Sequence, residues 1–243
     1  GPLTAAPTAM EVLRQMAEVP FGSKPDAAWY VALARALKTA YAKRLASLGD
    51  AEPPEAESCT THLSVSDAEG SMVAMTSTLL SSMGSRVVLP GTGILMNNGV
   101  MWFDPRPGQP NSMAPGKRPL TNMFPVILRD GDGPWMAAGA SGGRRIMAAV
   151  LQLTAFVAGF GMMPQAAAHQ PRIDVSDPLK VTADRRLGPD ILRALEADGP
   201  TEVVEHGVLP VNFACPNLVV RQDGVRIGIS DALSPWSAAV AQA

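Results

Sequence analysis

The sequence predicts an α+β protein built from stacked layers of sheet and helix. Three observations predict it. Residues 61–80 and 124–140 each alternate polar and apolar positions around a turn-like centre, the pattern of a β-hairpin with one buried face. Ahead of them, residues 7–18 and 26–48 carry apolar residues at helical spacing. The order, hairpins followed by helices and then more strands, fits a sheet packed on helices better than an alternating β-α-β chain. At 47% hydrophobic and 17% charged over 243 residues, the chain has the apolar material for a sizeable core.

Taken in order, the first helix starts at Pro7 and repeats Met10, Leu13 and Met16. The second has Ser23 or Asp26 to cap its start and Gly49 to end it, with Trp29, Leu33, Leu37, Tyr41 and Leu45 as a core-facing stripe. Residues 49–59 hold prolines and acids with no bulky apolar side chain, a linker that has nothing to bury. The 61–80 hairpin follows, turning at "AEGS". "RVVLP" and "GILMNN" read as two short buried strands. Residues 99–118, rich in Pro and Gly, read as a long loop, ordered or functional, rather than core. The 124–140 hairpin turns at "DGDG". A helix is expected over 143–158 and a shorter one near 164–169. Beyond them come a strand near 179–182, a helix over 188–197, and strands near 202–205, 216–221 and 225–229.

Several function classes are disfavoured. A net charge of −2 with scattered Lys and Arg gives no basic face, so neither nucleic acid nor a membrane surface is expected as a partner. The most apolar run, 147–163, contains Gln152, Thr154 and two glycines, and reads as a buried helix. Two cysteines and three scattered histidines make neither a disulfide framework nor a metal site, and no cofactor fingerprint is present. The chain opens Gly1-Pro2 without an initiating Met, which reads as a tag scar or a fragment edge. The compartment, exported or cytoplasmic, is left open.

The chemically suggestive stretch is Cys59-Thr60-Thr61-His62, where the acidic linker meets a strand. Threonine is a weak nucleophile without an adjacent base. A threonine at a new N-terminus carries one, its own α-amino group, with a pKa near ~7.7–8. The hydroxyl of Thr60 could also make the cut, by attacking the carbonyl of Cys59. "GASGGRRI" (139–146) places Gly142 and Gly143 between a strand and a helix start. There the glycines serve either the steric needs of the turn or an oxyanion.

Together, "TTHLSVSDAEGSMVAMTSTLLSSMGS", "GTGILMNN", "PGKRPLTNMFPVI" and "AGASGGRRI" resemble, in order and spacing, the γ-glutamyltranspeptidase (glutathione hydrolase) family of N-terminal-nucleophile enzymes. The resemblance implies an αββα sandwich of which this chain supplies part. Residues 1–59 then correspond to the large-subunit tail with its linker, and 60–243 to the small subunit. It implies Thr60 as the nucleophile, Cys59–Thr60 as the processing bond, Thr78 as the threonine that hydrogen-bonds the nucleophile, and Gly142 and Gly143 as oxyanion donors. Thr121 and Asn122 stand where a Ser-Ser pair contacts the substrate α-carboxylate. It further implies a small-molecule amide substrate, a companion large-subunit chain or segment in a heterodimer, and no cofactor or metal.

Three positions depart from the family pattern. Leu80 replaces an Asn. Gly99 and Trp102 stand where an acidic or amide residue and an Asp hold the substrate α-ammonium, and an unpaired buried ammonium is costly. The expectation is therefore an amidohydrolase or acyltransferase acting on another acyl donor. Its rivals are true γ-glutamyl transfer with recognition groups on another chain, and a non-catalytic assembly partner. Trp102 reads as a pocket wall or as loop packing. His62 reads as a structural neighbour of Thr60 or as a proton carrier. Lys117-Arg118 reads as a loop anchor or an anion site, and Cys215 as a buried free thiol.

Overall fold

The structure is a computed structural model that describes residues 2–49, 59–177, 179–208 and 212–242. Both expected helices form, α1 over Ala6–Met16 and α2 over Ala27–Leu48, but in α1 Met10 and Leu13 are about half exposed and the buried face is Thr8, Ala9 and Val12. The Asp26 side chain accepts the Trp29 N–H at 2.9 Å and so caps α2, and Gly49, at φ +68°, ends it. Trp29, Leu33, Leu37 and Tyr41 are buried, but Leu45 is only half-buried. The buried place one turn beyond Tyr41 goes to Arg44, whose guanidinium is fully engaged with groups outside its own helix. Most of the 49–59 linker lies outside the described residues.

Strands β1 (Cys59–Ser66) and β2 (Met72–Leu80) form the first hairpin, pairing Thr60 with Thr78 and His62 with Thr76. The second hairpin, β3 (Val126–Asp130) and β4 (Gly133–Ser141), is extended by β8 (Cys215–Gln222) and β9 (Val225–Ser230) into a four-stranded sheet ordered β3-β4-β8-β9. Between them in sequence come α3 (Ile146–Thr154), α4 (Pro164–His169), the short β5 (Ile173–Asp174), β6 (Val181–Asp184), α5 (Pro189–Asp198) and β7 (Thr201–Val204). β5, β6 and β7 make a small third sheet in which β6 and β7 run parallel.

The layers follow from which faces are apolar. The β1–β2 hairpin lies across β4 and β8, while α3 and α4 pack on the four-stranded sheet. The core between sheet and helices holds Met136, Ala138, Ile146, Val150, Leu153, Phe156, Leu218 and Val220. The first part of the apolar run 147–163 lies in the buried α3, which passes into a π turn at Ala155–Gly159, while Ala158 and Met163 are exposed. Among the described residues no helix is long and apolar enough to cross a membrane. On the hairpin's other face Leu63, Val65, Val73 and Met75 are about half exposed (48–53%), so that face has no covering layer among the described residues.

One expectation is corrected. "RVVLP" and "GILMNN" are not buried strands. They share a single bridge, Val88 with Leu95, and Val87, Val88 and Ile94 are 53–60% exposed. Left-handed backbone at Met83, Gly84, Arg86, Gly91 and Gly93 breaks the extended run that pairing needs. The long loop is ordered. Lys117 Nζ donates to the carbonyls of Pro110 and Ser112 at 2.8 and 2.9 Å, which makes Lys117 a loop anchor.

Candidate active site

β1 places Thr60 at its beginning, with the side chain on the face turned toward β4. The hydroxyls of Thr60 and Thr78 lie 2.9 Å apart, and Thr78 Oγ1 donates to the carbonyl of Cys59 at 3.0 Å. The Leu80 N–H donates to the same Thr78 oxygen at 2.9 Å. A hydroxyl has one proton and two lone pairs. With its proton given to Cys59 O, Thr78 accepts from Leu80 N–H and from the Thr60 hydroxyl. A single oxygen therefore contacts both the Thr60 hydroxyl and the Cys59 carbonyl.

This geometry depends on an irregularity. The pairing register shifts between Cys59 and Thr60, so that Leu79 has no partner of its own, and Leu80 is forced to φ +71°. A left-handed leucine is strained by ~1–2 kcal/mol. The bulge is what turns the Leu80 N–H toward Thr78.

Two residues along β1, His62 is buried over Gly139 of β4, where any Cβ would fall 2.2 Å from the ring. Its ring nitrogens lie 2.8 Å from Thr76 Oγ1 and 3.2 Å from Ser64 Oγ, and Asn217 Nδ2 donates to the His62 carbonyl at 2.7 Å. Burial lowers its pKa to about 4, so the ring is neutral at pH 7. With both nitrogens held by hydroxyls, His62 is a packing and hydrogen-bonding element between the two sheets.

β4 ends at Ser141, and Gly142 (φ +138°) and Gly143 (φ +59°) turn the chain into the first turn before α3. A Cβ on Gly142 would stand 2.7 Å from Ala214, so this glycine also has a steric reason. A cleft of about 480 Å³ holds Thr60, Ser141, Cys215, Asn217, Ser234 and Trp236 in its wall. Thr60 thus shares a cavity with the residue next to the glycine turn. Burial, with Asp231 nearby, pushes the Cys215 thiol up, consistent with an unreactive free thiol. The tail carrying Ser234 and Trp236 is tied down by a fully buried ion pair, Arg172 Nη2 to Asp231 Oδ2 at 2.9 Å.

These comparisons with known proteins fit that geometry. The profile of the family described as gamma-glutamyltranspeptidase matches residues 51–232. The chain belongs to the gamma-glutamyltranspeptidase family. It is 33% identical over 186 residues to the glutathione hydrolase proenzyme of Escherichia coli (strain K12), covering 71% of this chain and 31% of that one. The chain thus spans about a third of the length of that curated relative. Among solved structures it is similar to a cephalosporin acylase from Bacillus halodurans (TM-score 0.82, 25% identity, 96% of this chain and 49% of that one). It also resembles a gamma-glutamyltranspeptidase from Pseudomonas nitroreducens complexed with L-DON (TM-score 0.62, 25% identity, 75% of this chain and all of that one). The fold is accordingly part of the α+β architecture of the gamma-glutamyltranspeptidase and acylase N-terminal-nucleophile hydrolases, about half of it in the case of the cephalosporin acylase.

The other expected site residues of this gamma-glutamyltranspeptidase-family chain sit elsewhere. The Thr121 hydroxyl donates to the Leu3 carbonyl at 3.3 Å, and Asn122 Oδ1 accepts from Arg44 Nη2 at 3.0 Å. Both therefore tie the segment before β3 to the N-terminal part of the chain. Trp102 ends a 3-10 turn, Gly99–Trp102, and its ring lies over Gly99: a Cβ at 99 would stand 3.0 Å from the ring. The indole thus lies in the space that a side chain at 99 would fill. Sequence reading missed Ser141, Ser234 and Trp236. They come from a strand end and the C-terminal tail, and only the folded sheet brings them to Thr60.

Proposed function

We propose that this chain is the nucleophile-bearing part of a self-processing amidohydrolase or acyltransferase whose nucleophile is Thr60. The observation that carries the reading is the pair of contacts at Thr78, 2.9 Å to the Thr60 hydroxyl and 3.0 Å to the Cys59 carbonyl. In processing, Thr60 Oγ attacks the Cys59 carbonyl carbon while Thr78 stabilises the developing oxyanion. The C–N bond breaks, the hydroxyl proton ends on the released amine, and the resulting ester is opened by water. Residues 1–59 and 60–243 then become separate chains. The freed α-amino group of Thr60 becomes the base that its hydroxyl lacked. Thr78, released from Cys59, turns its proton to the Thr60 oxygen. Thr60 attacks the substrate amide, the N–H groups of Gly142 and Gly143 hold the oxyanion, the amine leaves with a proton, and water or another amine takes the acyl group.

The acyl donor is proposed to lack an α-ammonium. The side chains that wall the Thr60 cleft are all uncharged at neutral pH. At the Gly99–Trp102 turn an indole stands where the family has an acid. Thr121, Asn122 and Trp102 are proposed to border the substrate path once the remaining segment is in place. A rival reading, γ-glutamyl transfer, is favoured by the 33% identity to a glutathione hydrolase proenzyme. It needs the ammonium partner on the remaining segment.

Two p-nitroanilides separate the readings, because glutaryl and γ-glutamyl groups differ only by that ammonium. Faster release from the glutaryl compound supports the proposal, and faster release from the γ-glutamyl compound supports the rival. Intact mass and N-terminal sequencing test the processing step: a new terminus at Thr60 is expected, and a cut elsewhere would exclude Thr60.

A further inference from the structure

We infer that Tyr41 is a positioning residue for the Gly142–Gly143 turn, so that α2 remains a working part of the enzyme after the chain is cut. The inference rests on the proposed roles of Thr60 and the two glycines. Tyr41 is 1% exposed, and its phenol donates to the Arg144 carbonyl at 2.5 Å. Arg144 directly follows the glycines. Arg144 sits in the 3-10 turn Gly143–Arg145 that leads into α3, and Tyr41 donates to its carbonyl from a separate element. The Arg144 side chain is itself buried and donates to the Ser176 carbonyl at 3.3 Å.

Residue 144 is thus held from two sides, while the glycines before it have left-handed φ values that few other residues tolerate. Two adjacent glycines do not fix their own geometry; their neighbours do. Oxyanion donors work only at hydrogen-bond distance from the developing charge, so a small shift of the turn is expensive for turnover. Self-cleavage differs, because there Thr78 holds the oxyanion. The strut crosses the Cys59–Thr60 bond, so cutting that bond leaves the contact intact. Arg44, one turn further along α2, does the same for Thr121 and Asn122.

The test is Tyr41→Phe in the full-length protein, with Tyr30→Phe as its control. Tyr30 lies on the same helix, is equally buried and donates to the Pro171 carbonyl at 2.7 Å, away from the turn. The probes are glutaryl- and γ-glutamyl-p-nitroanilide, read per mole of Thr60 titrated by an acylating inhibitor. For Tyr41→Phe, kcat should fall by about 10- to 100-fold with KM nearly unchanged, while self-cleavage stays within about threefold of wild type. Tyr30→Phe should lower Tm by a similar amount and leave kcat within about twofold. Unchanged kcat in Tyr41→Phe overturns the inference, as does an equal kcat loss in both variants or a joint loss of kcat and self-cleavage. Full turnover by Thr60→Ala would overturn the underlying reading as well. An inactive Thr60→Ala beside a normal Tyr41→Phe would remove only the strut.

Discussion

The corner at Thr60 and the turn at Gly99–Trp102 are physically joined yet built on different rules. At the corner, paired strands set every position, and the polar groups of Thr60, Thr78, Cys59 and Leu80 meet at one oxygen. At the turn, an indole lies on a glycine, and the segment is a loop with an exposed Met101. Asn98 links the two: its N–H donates to the Leu79 carbonyl at 3.1 Å, and its Oδ1 accepts the Ser81 N–H at 3.1 Å. On the proposed reading the corner carries the bond-breaking chemistry and the turn bears on the identity of the acyl group. Changes at the corner should therefore stop the reaction, and changes at the turn should redirect it.

The largest effect should come from Thr60→Ala, which removes the attacking oxygen. Neither self-cleavage nor p-nitroanilide hydrolysis should survive, a loss of about 10³-fold or more. Thr78→Val keeps the shape and deletes the shared hydroxyl. Self-cleavage should slow by about 10²- to 10³-fold, the scale of one lost oxyanion donor. Time-resolved intact mass measures both. A Thr78→Val protein that cleaves at the wild-type rate would place the oxyanion on some other donor.

At the turn, Trp102→Asp should redirect the enzyme. Removing the indole uncovers Gly99 and supplies a carboxylate for an ammonium. The ratio of kcat/KM for γ-glutamyl- over glutaryl-p-nitroanilide should rise by about 10- to 100-fold, since a paired charge discriminates more strongly than apolar contact does. An unaltered ratio would detach the turn from acyl-group selection.

A smaller effect tests the support beneath the corner. Burial holds the His62 pKa at about 4 against 6.5 for a free imidazole. Below pH 6.5 the unfolded chain takes up a proton that the folded chain refuses, so acid favours unfolding. The contribution is fully present above 6.5 and is lost as pH falls toward 4, a decline of about 2 kcal/mol once the ~3 kcal/mol implied by the shift is discounted for solvent screening. Urea titrations across that range should show the slope, and His62→Gln should flatten it. An unchanged slope in the variant would assign the acid sensitivity to other groups.

Much of this contrast was legible in the sequence, for local reasons. Asp26 and Gly49 bracket α2 because a carboxylate cap and a left-handed glycine are local signals. The hairpin itself followed from alternation, whereas the Thr60–Thr78 pair was legible only through the family resemblance. Arg44 was hidden in an apolar stripe because its partners, Thr4, Thr121 and Asn122, are distant in sequence. Residues 86–98 misled because apolar side chains usually signal burial within the same chain. Here they face outward on a segment whose covering layer is not among the described residues. The cleft wall was illegible for the same nonlocal reason, with Ser141 and Trp236 meeting only through the order β4-β8-β9.

Leu80 lies where corner and turn meet, and it should show the smallest effect. It is 8% exposed, so truncating it would ordinarily cost ~2–5 kcal/mol. Its φ of +71°, however, strains a leucine, whereas asparagine occupies that region more readily. Leu80→Asn loses apolar burial but recovers backbone strain of ~1–2 kcal/mol. That recovery offsets the low end of the burial cost, so the net change in unfolding free energy should stay below about 1 kcal/mol. The Leu80 N–H to Thr78 bond is made by the backbone, so self-cleavage should persist. A loss of several kcal/mol would show that burial of the leucine dominates, and that strain at the bulge is not what sets this position. Intact stability with slowed self-cleavage would instead make the leucine side chain, through the shape of the bulge, part of the chemical corner.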